Sequence, residues 1–244
     1  MDNIDRLYSQ AFSGLEETLS RRRKAHKLIA LGYTSNVDVL CDSRAETFNR
    51  LFAQYAPNMD FSTAKPVEII TNMPEFLQTV VYYCRNGIGG EADIRDLSIL
   101  RGTFRTKLGI GGTATQGALA LAAVGCPTLV HLTDDSKEVC SQLDSPYIFL
   151  AAGDGALCHT GAAHQTAEQE VHYILQFQKG EELRLGDQRT VIPASNRLIV
   201  TRITVNETVP FSEPYFSYVE EHAKRVTSSV ISSFNALRDK SLLL

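Results

Sequence analysis

Apolar residues recur at three- and four-residue spacings over residues 4 to 24, where Ile4, Leu7, Tyr8, Phe12, Leu15 and Leu19 predict one amphipathic helix. Its C-terminal end is basic (Arg21-Arg22-Arg23-Lys24), which suits the helix dipole and reads as a solvated helix end. The run Lys27 to Gly32 predicts a buried strand that opens at its C-terminal end into a polar loop, Tyr33 to Asp38. Helical periodicity returns over 43–56 and 74–85, the second stretch opened by Pro74. Asn86 to Glu91, with three glycines, predicts a loop. Thr103 to Ile110 predicts a strand running into Gly111-Gly112. The small residues of 113–124 predict a tightly packed helix with Gly125 as its cap. Thr128 to Leu132 then predicts a strand and Ser136 to Leu143 a short helix. This alternation argues for an α/β fold with a parallel sheet flanked by helices.

The texture changes after about residue 156. Val171 to Phe177 alternates and Arg197 to Val205 is rich in β-branched residues, with Lys179 to Glu182 as a turn, so antiparallel strands of a smaller sheet are expected. Tyr215 to Arg225 predicts a helix, and Val226 to Ile231 a strand rejoining the main sheet; Asp239 to Leu244 shows no cap or further strand. With 244 residues, 43% hydrophobic and 21% charged, the chain has material for a sizeable core. A net charge of −4 and one short basic run argue against a nucleic-acid partner. The acidic start MDNIDRLYSQ lacks a secretory h-region, and no run approaches the ~18 apolar residues of a membrane span, so a cytoplasmic protein without a membrane partner is expected. Cys41, Cys84, Cys126, Cys140 and Cys158 are odd in number and widely spaced, as reduced, mostly buried thiols would be.

Three places invite chemistry. Asn36 and Asp38, at alternate positions after a buried strand, would point the same way in extended chain and could bind a polyol; they could equally be an Asx-turn that ends the strand. Gly111-Gly112, between a strand and a helix, would let a ligand approach backbone N–H groups, or would simply make a tight turn. Neither a Walker loop nor G-x-G-x-x-G is present. Gly153-Asp154-Gly155 is accounted for by turn chemistry, and His159 and His164, five apart without carboxylates at ligand spacing, make no zinc site. No G-x-S-x-G occurs, and no cysteine sits in a nucleophile context.

Four ordered stretches, ALGYTSNVD (30–38), GGTATQG (111–117) continuing to Gly125, VHYILQFQKG (171–180) and PASNRLI (193–199), resemble the ADP-dependent sugar kinases, the glucokinase and phosphofructokinase group of the ribokinase-like superfamily. The resemblance implies a ribokinase-like parallel sheet with a small β-rich lid, built here from about 42–108 and 157–206. It implies that Asn36 and Asp38 bind sugar hydroxyls, that Glu91 reaches down from the lid, that Gly111 and Gly112 present backbone N–H groups, and that Gln116 stands near the transferred phosphate. It implies phosphoryl transfer from ADP to a sugar or sugar-phosphate hydroxyl, with magnesium, where positioning and charge neutralisation supply most of the catalysis.

Members of that family are longer, and their nucleotide site, magnesium-linked acidic motif and Gly-x-Gly-Asp base lie C-terminal to residue 244; Gly153-Asp154 comes too early to be that base. Residues 1–244 therefore resemble an incomplete ribokinase-like domain that keeps the sugar-binding part, with no catalytic or metal-binding residue of its own to name. The alternatives are a non-catalytic sugar-binding or regulatory protein, or one half of a split kinase. The chain alone is expected to lack kinase activity, and to associate with itself or with a second chain that supplies the missing half.

Overall fold

A computed structural model describes residues 3–162, 169–202 and 208–232. The chain divides into two units, residues 1–36, 110–169 and 205–244 in one, and 37–109 with 170–204 in the other. His164, the end of the strand expected over 197–205, and Asp239 to Leu244 lie outside the described residues.

The first unit is organised by β1 (Leu28–Gly32), whose residues are nearly all buried. Its sheet contains β1, β6 (Thr128–Val130), β7 (Ile148–Ala151), β8 (Leu157–His159) and β13 (Val226–Ile231), in the order β13-β1-β6-β7-β8. Four strands are parallel and β8 runs antiparallel to β7, so Val226 to Ile231 does rejoin the main sheet. The sequence reading missed β7 and β8, which are short and flank the Gly153–Gly155 turn. Helix α5 (Thr113–Ala123) packs on β1 and β6 through Ala114, Thr115 and Ala118; only small side chains allow so close an approach. Helix α6 (Lys137–Gln142) is capped by Ser136, and α7 (Glu213–Glu221) joins Leu28, Ala30 and Leu129 in the core through Tyr215 and Tyr218.

The single N-terminal helix expected over 4–24 is two, α1 (Asn3–Ser13) and α2 (Leu15–Lys24), parted at Gly14, where helix propensity is lowest. The apolar stripe of α1 buries nothing: Ile4, Leu7, Tyr8 and Phe12 are exposed. The basic run is not wholly solvated either. Arg22 donates to Thr227 Oγ1 at 2.8 Å and Arg23 to the Gly125 carbonyl at 3.0 Å, pinning α2 to β13 and to the turn after α5.

The second unit holds a six-stranded sheet of order β3-β4-β12-β9-β2-β5, formed by β2 (Asn36–Cys41), β3 (Ile69–Ile70), β4 (Gly90–Ile94), β5 (Thr106–Gly111), β9 (Val171–Phe177) and β12 (Asn196–Thr201). It is larger than the first sheet, not smaller, and mixed: β9 and β12 are antiparallel, whereas β2 pairs parallel with β9 and β4 parallel with β12. The segment expected as a loop from Asn86 splits in two. Helix α4 (Met73–Asn86) ends on left-handed Gly87, and Gly90 already begins β4. A hairpin of β10 (Glu182–Leu185) and β11 (Gln188–Val191) also went unforeseen.

One face of this sheet buries Leu175, Phe177, Leu198, Val200, Ala92 and Ile94 against α3 (Ala45–Tyr55) and α4. Phe48 is the hub, with ring centroids of Phe52, Phe76, Phe104 and Phe177 at 5.4 to 6.5 Å. The start of α4 is fixed by Asn72, which accepts from Glu75 N, while the Glu75 carboxylate accepts from Thr71 N and Oγ1; these bonds hold its carboxyl below the usual carboxylate range.

Candidate functional site

In the first unit the candidate residues gather where β1 ends and α5 begins. The turn after Gly32 is held by buried polar groups: Ser35 N donates to Thr133 Oγ1 at 2.9 Å and Ser35 Oγ to the Asp134 carbonyl at 2.8 Å. This delivers Asn36, itself buried, onto Gly111. A Cβ at Gly111 would stand 2.0 Å from Asn36 Nδ2, and one at Gly112 (φ +94°) 2.2 Å from the Thr34 carbonyl oxygen. Both glycines are thus demanded by the chain's own packing. Thr115 Oγ1 donates to the carbonyls of Gly111 and Gly112, and the exposed Gln116 donates its amide to the Ile110 carbonyl, which stiffens this junction.

In the second unit the face of the sheet opposite the phenylalanine core mixes polar and apolar side chains. Register sets out two rows across β2, β9, β12 and β4. Asp38, His172, Thr201 and Asp93 form one; Leu40, Ile174, Ile199 and Glu91 form the other. Asp38 and His172 are partly open to solvent, with 23% and 22% of their side chains accessible, and Asp38 Oδ1 lies 3.9 Å from His172 Nδ1. The other ring nitrogen, Nε2, lies 3.3 Å from Oε1 of Glu170, a side chain with no exposure at all. A carboxylate, an imidazole and a second carboxylate therefore stand in line.

Asn36 and Asp38 sit on a strand and not in the loop expected for them, so their alternation does place them on one side of the chain. Glu91, expected in a loop, is on β4, exposed on the same sheet face as Asp38. Three strand spacings separate them, roughly 14 Å of backbone, so the two cannot serve one hydroxyl. Gln116 and the two glycines cluster with Asn36 in the first unit. The sequence reading missed His172 and Glu170. The alternation of Val171 to Phe177 already put His172 on the face opposite Leu175 and Phe177, but its carboxylate neighbours depend on the register of β2 with β9.

Burial pushes the thiols of Cys41 and Cys140 up to about 12 and that of Cys84 higher still, so none offers a thiolate nucleophile. Among the described residues, no three His, Cys, Asp or Glu side chains gather where a cation could be held, and no helix is long and apolar enough to cross a membrane.

No curated protein matches the chain significantly. Solved structures do. A hypothetical ADP-dependent phosphofructokinase from Pyrococcus horikoshii OT3 superposes with a TM-score of 0.68 at 21% identity, over 87% of this chain and 50% of that one. The last common ancestor of ADP-dependent phosphofructokinases from Methanosarcinales gives 0.65 at 21%, over 97% and 50%. An ADP-dependent kinase complex with fructose-6-phosphate and ADPbetaS gives 0.61 at 21%, over 92% and 47%. The chain spans about half the length of these structures, and the likeness identifies the α/β fold of helices on mixed parallel sheets. The model of the ADP-specific phosphofructokinase/glucokinase conserved region matches residues 27–242. With that match over most of its length, the chain belongs to the ADP-specific phosphofructokinase/glucokinase family.

Proposed function

We propose that these 244 residues carry the sugar-binding part of an ADP-dependent sugar kinase, a transferase acting on a sugar or sugar-phosphate hydroxyl. The observation that carries the reading is the Asp38–His172 pair, two partly exposed hydrogen-bonding groups 3.9 Å apart, backed by a buried carboxylate. Such a pair suits hydroxyls: a carboxylate accepts from them, and a positioned imidazole adds a second, directional contact. Asn36 and the backbone amides of Gly111 and Gly112 are assigned sugar contacts on the family resemblance. Glu91, about 14 Å from Asp38 along the sheet, holds a different part of the ligand. Gln116 is assigned a place near the transferred phosphate on the family resemblance.

The donor nucleotide, magnesium and the base that takes the hydroxyl proton are assigned to residues outside these 244, whether in the same polypeptide or in a second one. One fact supports this assignment: the related structures are about twice as long. The unit of residues 37–109 and 170–204 is assigned the role of a lid that excludes water, which otherwise competes as acceptor. Titration calorimetry with glucose and with fructose 6-phosphate tests the reading. One of the two should bind, and binding should weaken in Asp38→Ala. A folded chain that binds neither, or a variant with unchanged affinity, contradicts it. Turnover in a coupled kinase assay of this chain alone would overturn the placement of the donor site.

A further inference from the structure

We propose that Ser35 is a positioning residue: its hydroxyl clasps the backbone of Asp134 and thereby holds Asn36 on Gly111, where the Asn36 amide meets the sugar. This deepens the sugar-binding reading and rests on it. After the last ladder bond at this end of β1, His131 N to the Leu31 carbonyl at 2.8 Å, the two chains part as connections. Backbone that leaves a sheet usually runs over the surface, because its N–H and C=O groups need partners and water supplies them. Here the connections stay inside. Ser35 and Asp134 have no exposure at all, and Thr34, Asn36 and Thr133 are buried. Their polar groups must then be satisfied by protein.

Ser35 does this in both directions. Its Oγ donates to the Asp134 carbonyl at 2.8 Å and accepts from Asp134 N at 2.9 Å, so one hydroxyl takes the place of a backbone rung. A second exchange lies beside it: Ser35 N donates to Thr133 Oγ1 at 2.9 Å, and Thr133 Oγ1 donates to the Ser35 carbonyl at 3.3 Å. The far side of the clasp is itself anchored, since Asp134 Oδ1 accepts from Ser136 N at 2.9 Å and Ser136 caps α6. On the near side Ser35 stands between two close approaches. The Thr34 carbonyl packs on Gly112 and the Asn36 amide on Gly111, each so near that a Cβ would not fit. The clasp therefore sets where the Asn36 side chain starts from. A binding group must be held within about 0.5 Å of its productive place, and a hydroxyl bonded in both directions holds it where a solvated loop would not.

The test is titration calorimetry of the whole chain with glucose and with fructose 6-phosphate, in a cycle of wild type, Ser35→Ala, Asn36→Ala and the double variant. Ser35→Ala should weaken binding of whichever sugar the wild type takes by roughly tenfold, about the worth of one hydrogen bond. In the Asn36→Ala background the same change should cost less than about twofold, because Ser35 acts through Asn36. A merely structural role would carry its loss of affinity in full into that background. That result overturns the proposal, as does a folded Ser35→Ala chain with unchanged affinity. Hydrogen exchange of the wild type needs no variant to fold. The amides of Ser35 and Asp134, which lie outside any strand or helix, should be as protected as those of β1 and β6, and free exchange at either overturns the clasp. A wild-type chain that binds neither sugar, or an Asn36→Ala chain that binds as the wild type does, instead overturns the functional reading of Asn36, and the role given to Ser35 falls with it.

Discussion

The two units put their polar groups in different places, and the reason is how their sheets are buried. In the parallel sheet of residues 1–36, 110–169 and 205–244, the central strands β1 and β6 are buried along nearly their whole length, so a ligand-binding group can stand only at a strand end. Asn36 opens β2, Gly111 closes β5 and Gly112 caps α5, so all three stand at the ends of elements. In the mixed sheet of the other unit the large apolar core covers one face, against α3 and α4. Its opposite face can carry Asp38, His172 and Glu91 in mid-strand, in rows set by register. Glycines and backbone thus dominate the first set of candidates, and titratable side chains the second.

The largest expected effect falls on the core that supports the face bearing Asp38 and His172. Phe48→Ala removes the ring shared by four other phenylalanines, so it should destabilise the unit of 37–109 and 170–204 by about 3–5 kcal/mol. Denaturation followed by hydrogen exchange should show β9 and β12 losing protection more than β1 and β6. Equal losses in both sheets would mean that the units do not have separate cores. Asp38→Ala should weaken sugar binding by roughly 1.5–3 kcal/mol, the range for bonds to a charged group. The same change should barely alter the denaturation midpoint, since Asp38 is partly exposed.

Gly112→Ala tests the other kind of site. The new methyl would meet the Thr34 carbonyl at a positive φ, and the expected cost is about 1–3 kcal/mol in the first unit. A variant as stable as wild type would show that the turn can open and that the glycine is there for a ligand alone.

The smallest effect concerns pH. His131 is buried among Tyr33, Tyr215 and Phe216; its Nδ1 donates to the Tyr33 carbonyl at 3.1 Å and its Nε2 accepts from Ser212 N at 3.3 Å. Burial holds its pKa below the ordinary 6.5. The unfolded chain therefore takes up the proton first, so the contribution of neutral His131 is complete above pH 6.5 and is lost as pH falls toward the folded value. Unfolding free energy should drop between pH 7 and 5.5, by at most about 1.4 kcal/mol per pH unit from this group. His131→Gln should flatten that slope, and an unchanged slope would show that His131 is not the group responsible.

Much of the fold was legible because burial on both faces leaves an unmistakable apolar run, as in Leu28 to Gly32, and because α4 carries its own start and stop signals in Asn72, Pro74 and Gly87. Misreadings arose where local pattern was silent. Glu91 follows three glycines, and only pairing of β4 with β12 makes it a strand residue. The stripe on α1 has helical spacing but no partner among the described residues, so periodicity foretold the helix and not its burial. For the site, Asn36, Asp38 and the glycine pair stand out in the sequence because their residue types break an apolar run. His172 and Glu170 lie some 130 residues further on and join Asp38 only through the β2–β9 register, which no local signal encodes.

The most direct measurement of the sugar-binding account is hydrogen exchange of the chain with and without fructose 6-phosphate, or glucose if calorimetry shows that glucose is the sugar bound. Amides of β2, β4, β9 and β12, together with residues 111–116, should exchange more slowly with sugar present, while those of β7 and β8 stay as they were. Saturating sugar that leaves the β2 and β9 amides unchanged would contradict a site built on Asp38 and His172.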